Sequence, residues 1–379
     1  MTSMTSTRRG DPHGDPIRLP SRALHPDRAM RPHESGPTLK DVAELAGVST
    51  KTASRVLNEH PKVADDTRAA VQAAMLELHY VPDPAARSLR AGRDRTIGVV
   101  VDSIADVFFA TLVAQVESVL DAHGYRCLIA SSNRDPKREL ETVHSLAQRR
   151  CAGIILSPTD RDCLAEARIG DLPLVFVDRV GATSNSQSVV ADDHGLTRLA
   201  TRHLLEHGHT RIALLSDTPA VATTGRRHEG YRAAMREAGI RVDERLIRAD
   251  CLESPDVLPA LVELLALAEP PTALISTNTR LSLGLLPALH QFRRTDIALI
   301  SFGDFPMAES LSPAVTIIDH SPRAIGTTAA TAMLDRLQPD RPDPVTPVIY
   351  VPADLVQRGS GELRPQPRSP LRDTQPTAS

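Results

Sequence analysis

The chain has 379 residues, of which 41% are hydrophobic and 24% are charged, and its formal net charge is −3. This composition is typical of a globular protein with two or three domains, and it excludes global disorder. No apolar run approaches the ~18–20 residues that a membrane-spanning helix needs, the four cysteines lack the spacing of a disulfide framework or zinc ribbon, and the N-terminus lacks the apolar stretch of a secretory signal. We therefore expect a cytoplasmic protein that makes no membrane contact.

The charge is distributed unevenly along the chain. Residues 1–95 carry a net charge of +3 and the remainder −6, a weak indication of a nucleic-acid-binding head on an acidic body. Residues 1–36 are rich in Pro, Arg, Ser and Asp without apolar periodicity, which predicts a disordered N-terminal extension.

Residues 37–82 are predicted to form a three-helix head. Leu39, Val42, Ala43 and Leu45 share one helical face, and Gly47 ends that helix. Ser49 is positioned to cap a second helix, and Asp65 or Asp66 to cap a third. A glycine turn between two short helices is typical of a helix-turn-helix unit. Residues 83–95, with two flanking prolines and a glycine, are predicted to form a short hinge helix and a linker.

Residues 96–361 alternate apolar strands with amphipathic helices, and residues 362–379 are predicted to form a disordered tail. The predicted strands are Ile97–Val101, Cys127–Ala130, Gly153–Leu156, Leu174–Val177, Ile212–Leu215, Thr272–Ile275 and Ile297–Ile300. The predicted helices are Phe109–Ala122, Lys137–Arg149, Leu196–His207, Arg227–Ala238 and Arg280–Phe292. Apolar strands separated by helices indicate parallel sheets covered on both faces, and their number favours two doubly wound α/β lobes.

The run from Thr38 to Leu89, TLKDVAELAGVSTKTASRVLN…YVPDPAARSL, resembles the DNA-binding head and hinge of lactose-repressor (LacI) family regulators. The landmarks occur in order and without gaps, although Ala53 stands where a valine is more usual. The body resembles the family's periplasmic-binding-protein-like effector domain, in segments such as LDAHGY, HLLEHGHTRIALL and GYRAAMREAGI. The resemblance implies a two-lobed body whose chain crosses between lobes near Val190–Asp193, Asp319–Pro322 and Ile349.

The recognition helix is expected to enter the major groove of operator DNA. Lys51 and Arg55, with Thr50 at the helix start, are predicted to face base edges, because their side chains can donate to guanine O6 and N7. They could instead form a solvated face. Phosphate contacts are predicted for Thr38, Ser49, Thr52, Ser54 and Asn58.

In the hinge, the resemblance implies that helices from two subunits pair in the minor groove. Leu89 would act as the wedge between base pairs, Ala86 would line the helix pair, and Arg87 and Ser88 would contact DNA. Packing of Leu89 on the body is the alternative.

The resemblance also predicts an effector site in the cleft. Its candidates are Phe108 and Phe109 in the loop after the first strand, Asp178, Asp192 at the crossover, Thr223 in a loop, Arg227 at the start of a helix, Asn278 and Asp304. For Asp192 and Thr223 a structural role is equally consistent. The chain departs from the family at Asn278-Thr279, where N-D is usual, and at Gly303, where an aspartate commonly binds sugar hydroxyls. Asp304 is the candidate to replace that aspartate. A carbohydrate or derivative is expected, and the missing carboxylate together with Arg227 favours a phosphorylated or acidic one.

No nucleophile elbow, phosphate-binding loop or dinucleotide fingerprint occurs, so no catalytic residue and no cofactor are predicted. His203 and His207 have the spacing of a metal pair but are predicted to be structural, so no metal is expected. We predict a homodimeric transcriptional regulator, most often a repressor, controlled by a small molecule. The alternatives are a solute-binding protein, which would need a signal peptide, and an α/β enzyme with a DNA-binding head, which would need catalytic motifs.

Overall fold

The computed structural model describes residues 37–57, 60, 62–80, 95–164, 167, 169–183, 186–218, 221–249, 251, 254–338 and 347–366. These residues fall into two compact units, a head (37–80) and a body (95–366). The predicted N-terminal extension and most of the predicted hinge and tail lie outside the described residues.

The head contains three helices, α1 (Leu39–Leu45), α2 (Thr50–Leu57) and α3 (Asp65–Glu77). A capping box begins α1: the Thr38 backbone N–H donates to the Asp41 carboxylate over 2.7 Å, and the Asp41 N–H donates to the Thr38 hydroxyl. Gly47, with φ of 64°, takes the left-handed conformation that ends the first helical segment. The Ser49 hydroxyl then accepts from the Thr52 N–H over 3.1 Å, as predicted for the cap of α2.

A small apolar core holds the three helices together. Its buried side chains are Val42, Ala43, Ala53, Val56, Val71 and Ala74. Two expectations for the head were wrong. Leu45, expected on the same face of α1 as the buried Val42 and Ala43, is 46% exposed. The N-cap of α3 is Ala64, and Asp65 and Asp66 lie in the first turn, where carboxylates favour the helix dipole without capping it.

In the described part of the body, the strands form two six-stranded sheets, ordered β11-β5-β4-β3-β1-β2 and β12-β10-β9-β8-β6-β7. The strands are β1 (Thr96–Val101), β2 (Arg126–Ser131), β3 (Gly153–Leu156), β4 (Leu174–Val177), β5 (Ser186–Val190), β6 (Ile212–Leu215), β7 (Ile247–Arg248), β8 (Ala273–Ser276), β9 (Ala298–Phe302), β10 (Thr316–Asp319), β11 (Val348–Tyr350) and β12 (Asp354–Val356). All pairings are parallel except that of β12 with β10. The two doubly wound lobes predicted from the sequence are therefore confirmed.

Helices cover the sheets. They are α4 (Val107–Ala122), α5 (Pro136–Gln148), α6 (Asp193–Glu206), α7 (Ala222–Glu237), α8 (Ser254–Leu265), α9 (Thr279–Gln291) and α10 (Pro322–Arg336). Strand β1 illustrates the layering. Ile97, Val99 and Val101 pack into the core beneath α4 and α10, whereas Val100 packs into the core beneath α5. Both faces of the strand are buried, so it is apolar at nearly every position rather than alternating.

The chain crosses between the lobes at three points. It leaves lobe 1 after Val190, returns after Asp319, and leaves again after Tyr350. Lobe 1 therefore comprises the described residues within 95–190 and 322–350, and lobe 2 those within 193–319 and 354–366. These crossings agree with the three expected from the resemblance. They join the lobes at one edge, where the carboxyl ends of parallel strands from both sheets lie.

The C-terminal segment was predicted to be disordered from residue 362, and the structure differs there. Glu362 ends a short 3₁₀ helix, and its carboxylate hydrogen-bonds His203 Nε2 over 2.7 Å and accepts from the Thr316 hydroxyl over 2.8 Å. The carbonyl of Leu363 contacts His209 Nε2 over 2.7 Å. These polar contacts fix residues 362–363 on lobe 2. Among the described helices, none is long and apolar enough to span a membrane.

Candidate DNA-binding head and effector cleft

Helix α2 has one buried and one exposed face. Ala53 and Val56 are buried, whereas Thr50, Lys51 and Arg55 are exposed. Lys51 and Arg55 are four residues apart, so both side chains project from the same side of the helix. The exposed face of α2 therefore offers two cationic donors to a partner surface.

The side chains predicted to contact phosphate have different local roles. The Thr38 hydroxyl donates to Asp41 over 2.8 Å within the cap of α1, and the Ser49 and Thr52 hydroxyls lie 2.8 Å apart at the start of α2. Ser54 is half-buried. The remaining predicted DNA contacts, Asn58, Ala86, Arg87, Ser88 and Leu89, lie outside the described residues.

A pocket of about 480 Å³, counted with the space open to solvent, lies between the lobes. Lobe 1 contributes Asp106, Phe108, Phe109, Arg134, Asp178 and Arg179, and lobe 2 contributes Asp217, Val221, Thr223, Thr224, Arg227, Thr277, Asn278, Thr279 and Phe302. His320 lines the pocket from the crossover between β10 and α10. The pocket thus combines three aromatic rings of phenylalanine with carboxylate, guanidinium and hydroxyl groups.

Six of the eight predicted effector residues lie around this pocket: Phe108, Phe109, Asp178, Thr223, Arg227 and Asn278. The elements that hold them differ in part from expectation. Phe108 and Phe109 are in the first turn of α4, not in a loop, because Asp106 caps the helix by accepting from the Phe108 N–H over 3.0 Å. Thr223 likewise lies in the first turn of α7.

Asp192 and Asp304 do not line the pocket. Asp192 caps α6 by accepting from the Gly195 N–H over 3.1 Å, and its side chain is 57% exposed. Both carboxylate oxygens of Asp304 accept from Arg358, over 2.9 and 2.8 Å. These local partners turn both side chains away from the cleft, so Asp304 does not replace a carboxylate at position 303.

Arg227 is buried and already paired. Its Nε and Nη2 lie 2.8 and 2.7 Å from Asp193 Oδ1, its Nη1 donates to the Thr277 carbonyl, and its guanidinium lies 4.0 Å from the centre of the Phe302 ring. Helix α7 begins at Ala222, so Arg227 is in the second turn rather than at the helix start. Its charge is therefore neutralised by Asp193, and the N-terminus of α7 does not add to it.

An ion-pair chain links the lobes across the cleft. Arg134 of lobe 1 donates from Nε to Asp102 over 2.9 Å and from Nη1 to Asp217 of lobe 2 over 2.6 Å. Asp102 also accepts two hydrogen bonds from Arg179, over 2.9 and 2.6 Å. Burial by itself raises the pKa of Asp102, but Arg179 and then Arg134 outweigh it and hold that pKa below its usual range. Arg134 has φ of 59°, in the left-handed region that residues other than glycine seldom adopt.

A second lobe-crossing contact involves the start of α9. Arg280 Nε lies 3.4 Å from Asp106 of lobe 1, and the Thr279 hydroxyl donates to Asp106 over 3.4 Å. Asn278 caps α9, accepting from the Leu281 N–H over 2.9 Å. Hydrogen-bonded charges therefore link the two lobes at both of these places.

Asp178 directly follows β4 and has φ of 66°. Its side chain is 12% exposed, and its carboxylate lies 3.4 Å from Arg179. Burial raises the pKa of Asp178 to about 6, although Arg179 and Arg227 oppose the shift. This carboxyl group therefore changes its protonation state just below neutral pH.

Sequence reasoning missed the other residues that line the pocket or link the lobes, among them Asp102, Arg134, Arg179, Asp217, Thr277 and His320. Asp102, Asp217 and Thr277 follow the ends of β1, β6 and β8, so their placement at the carboxyl edge of a parallel sheet could have identified them. Arg134 and His320 are in connecting segments. The periodicity of the sequence does not predict that these segments fold back to the cleft.

Among the described residues, no group of three or more acidic, cysteine or histidine side chains could hold a metal ion. His203 and His207, which have the spacing of a metal pair, lie with ring centres 4.4 Å apart, and His203 bonds Glu362. They have the structural role predicted for them.

The head is a helix-turn-helix unit and the body is a two-lobed domain with a polar cleft between its lobes, a combination that defines a ligand-responsive DNA-binding regulator. Residues 38–83 match the family described as bacterial regulatory proteins, lacI family. Residues 94–358 match the periplasmic binding proteins and sugar binding domain of LacI family.

The HTH-type transcriptional repressor PurR of Vibrio atlanticus (strain LGP32) is 32% identical over 309 residues, covering 79% of this chain and 92% of the relative. The structure of the lac repressor dimer bound to operator and the anti-inducer ONPF has 26% identity and a TM-score of 0.75, with 86% of this chain and 99% of that one covered. The transcriptional regulator CelR–cellobiose complex has 29% identity, a TM-score of 0.63 and coverage of 86% and 99%.

The chain belongs to the LacI family of bacterial regulatory proteins. It is a DNA-binding transcriptional regulator with an effector-binding domain, as the sequence predicted, and the family consists of regulators rather than enzymes.

Proposed function

We propose that the protein is a homodimeric repressor that acts in the cytoplasm on a pseudo-palindromic operator, and that a neutral polyhydroxylated molecule, such as a sugar, controls it from the cleft. The observation that carries the choice of ligand is the pairing of the pocket's guanidinium groups. Arg134, Arg179 and Arg227 each contact at least one carboxylate.

A phosphate or carboxylate ligand binds best where guanidinium donors are uncompensated. In this pocket it would compete with Asp102, Asp193 and Asp217 for the same cations, and it would lie near the carboxylates of Asp106 and Asp178. Hydroxyl groups suit the arrangement better, because one hydroxyl donates to a carboxylate and accepts from a guanidinium. The rings of Phe108, Phe109 and Phe302 offer apolar surface to the carbon skeleton of such a ligand.

The phosphorylated ligand predicted from the sequence rested on Arg227 at a helix start and on the missing carboxylate at Gly303. Arg227 is ion-paired and lies in the second helical turn, and three other aspartates line the pocket. Both reasons for expecting a phosphorylated ligand are therefore weakened by the structure. The structural relative solved with cellobiose lends support to a neutral sugar.

For DNA binding, the proposal rests on the exposed cationic face of α2 and on the relative solved as a dimer on its operator. Lys51 and Arg55 would read base edges in the major groove, and Leu89 of the hinge would open a base step in the minor groove. Ligand binding can shift operator affinity only if the ligand binds the two arrangements of the lobes unequally.

The test is fluorescence anisotropy with the full chain and a labelled duplex from its own upstream region. D-ribose, D-glucose and cellobiose are titrated beside ribose 5-phosphate and glucose 6-phosphate. We expect operator affinity to change with at least one neutral sugar and to respond more weakly to its phosphate. If only the sugar phosphates change operator affinity, the proposal of a neutral ligand is refuted. If the protein does not bind the duplex specifically, the proposed action on this operator is refuted.

Thr223→Val is the variant that probes the pocket with least disturbance, because it replaces one hydroxyl by a methyl group in the first turn of α7. It should weaken the ligand response and leave operator binding unchanged. Arg226→Ala, at an exposed neighbour of Arg227, is the matched control. Arg227→Ala should also abolish the response, but it leaves Asp193 buried without its ion pair and should cost about 3–5 kcal/mol of folding stability.

A further inference from the structure

His320 occupies an unusual environment at the crossover between β10 and α10. It is 6% exposed and lines the pocket. Its ring stacks on Phe108 with centroids 4.5 Å apart and an interplanar angle of 8°, and it lies 5.2 Å from the Phe302 ring. The two aromatic contacts, one from each lobe, fix the orientation of the imidazole.

Two buried polar atoms at this pocket lack hydrogen-bond partners within the described residues. They are Nδ1 of His320 and the hydroxyl oxygen of Thr277, whose residue is 1% exposed. Buried polar atoms are nearly always satisfied, because leaving one unpaired costs folding free energy. Two such atoms among the residues that line one pocket leave two hydrogen-bonding groups for a bound molecule.

Gly303 explains how His320 reaches this position. A Cβ at residue 303 would lie 3.0 Å from Cε1 of His320 and 2.7 Å from Cγ2 of Thr279, and the glycine φ of 95° disfavours any other residue. A side chain at 303 and the imidazole at 320 therefore compete for the same space. The absence of a carboxylate at 303 and the presence of His320 are two parts of one arrangement.

Burial lowers the pKa of His320 to about 3 and the charge of Arg227 contributes, although the nearby backbone of Ile318 opposes the shift. The imidazole is therefore neutral throughout the physiological range, with one ring nitrogen as donor and the other as acceptor. Such a group recognises a hydroxyl or amide rather than a charged group.

We propose that His320 is a specificity-determining residue of the effector pocket, and that its Nδ1, with the Thr277 hydroxyl, hydrogen-bonds a neutral polar group of the ligand. This rests on the proposed function, since it requires a neutral ligand in the cleft. The role of His320 goes beyond the proposed function because it assigns the selection of the ligand to particular atoms.

The experiment is isothermal titration calorimetry of the full chain with D-ribose, D-glucose and cellobiose. His320→Phe keeps a flat ring for stacking on Phe108 but removes both nitrogens. It should weaken the best-bound sugar by about tenfold or more, the value of one buried hydrogen bond. His320→Gln retains an amide donor and acceptor and should recover part of the loss. His290→Gln, at an exposed histidine of α9, should bind like the wild type.

A readout that needs no substitution is the side-chain nitrogen spectrum of the ¹⁵N-histidine-labelled wild type. Addition of the bound sugar should shift the Nδ1 resonance of His320, which a purely structural histidine would not do. Sugar binding with unchanged affinity in His320→Phe, or an unmoved Nδ1 resonance, overturns the role of His320 while the proposed function stands. Failure of every neutral sugar to bind the wild type overturns the neutral ligand itself.

Discussion

Replacing Asp178 by asparagine should stabilise the ligand-free protein, and the gain should depend on pH. Asp178 is enclosed at the end of β4, where burial raises its pKa to about 6 from an ordinary value near 4. Below about pH 4 the carboxyl group is protonated in both the folded and unfolded chains, so it does not affect their balance. Between about pH 4 and 6 only the unfolded chain releases the proton, and folding stability falls as pH rises.

The magnitude follows from the size of that difference. A shift of roughly two pKa units at about 1.4 kcal/mol each gives a loss of about 3 kcal/mol that is complete above pH 6. Asparagine has the shape of the protonated acid and no charge, so Asp178→Asn should recover most of this at pH 8 and little at pH 4.5. Asparagine also tolerates the φ of 66° well, which adds a small gain at every pH.

The assay is urea unfolding of the full chain followed by far-UV circular dichroism, since the sequence contains no tryptophan to report by fluorescence. Asp192→Asn is the control, because it removes a carboxylate at an exposed cap that asparagine also forms. A stability change in Asp178→Asn that is equal at pH 4.5 and pH 8, or a variant less stable than wild type at pH 8, would contradict the reasoning.

Three further predictions concern the head, the hinge and the closure of the cleft. Arg55→Ala should reduce operator affinity by about 1–3 kcal/mol and relax preference at one base pair, measured by binding to a set of singly substituted operators; unaltered base preference would exclude direct readout. Leu89→Ser should weaken specific operator binding by on the order of a few kcal/mol while the dimer persists, measured by anisotropy and analytical ultracentrifugation; wild-type affinity would exclude a wedge. Arg134→Gln removes the bridge between Asp102 and Asp217 but leaves each carboxylate near another cation. It should lower the free energy of unfolding by about 1–3 kcal/mol and increase the radius of gyration of the ligand-free protein in X-ray scattering. Arg126→Gln, at an exposed ion pair, should do neither.

The sequence predicted the central strands with errors of one or two residues, because strands such as Gly153–Leu156 and Leu174–Val177 are buried on both faces and are therefore continuously apolar. It did not predict β5 (Ser186–Val190), whose polar residues interrupt the run, or helices α8 and α10. Helix α10 alternates small and polar residues without a clear apolar stripe, since it is buried against α4 by close packing of alanine and glycine. Propensity and pattern carry little information where packing depends on small residues.

For the site, the resemblance to the family identified six side chains that the fold gathers around one pocket. The head and the class of protein also followed from the sequence, because the run from Thr38 to Leu89 resembles the head and hinge of the family. Only the tertiary structure determined the electrostatics. Whether Arg227 is a free anion receptor or half of an ion pair depends on Asp193, which lies 34 residues earlier in the chain. Whether Asp304 takes the place of a carboxylate at Gly303 depends on Arg358, 54 residues later. Charge pairing depends on distances in space of a few ångströms, and those are fixed by the packing of whole lobes rather than by the order of residues.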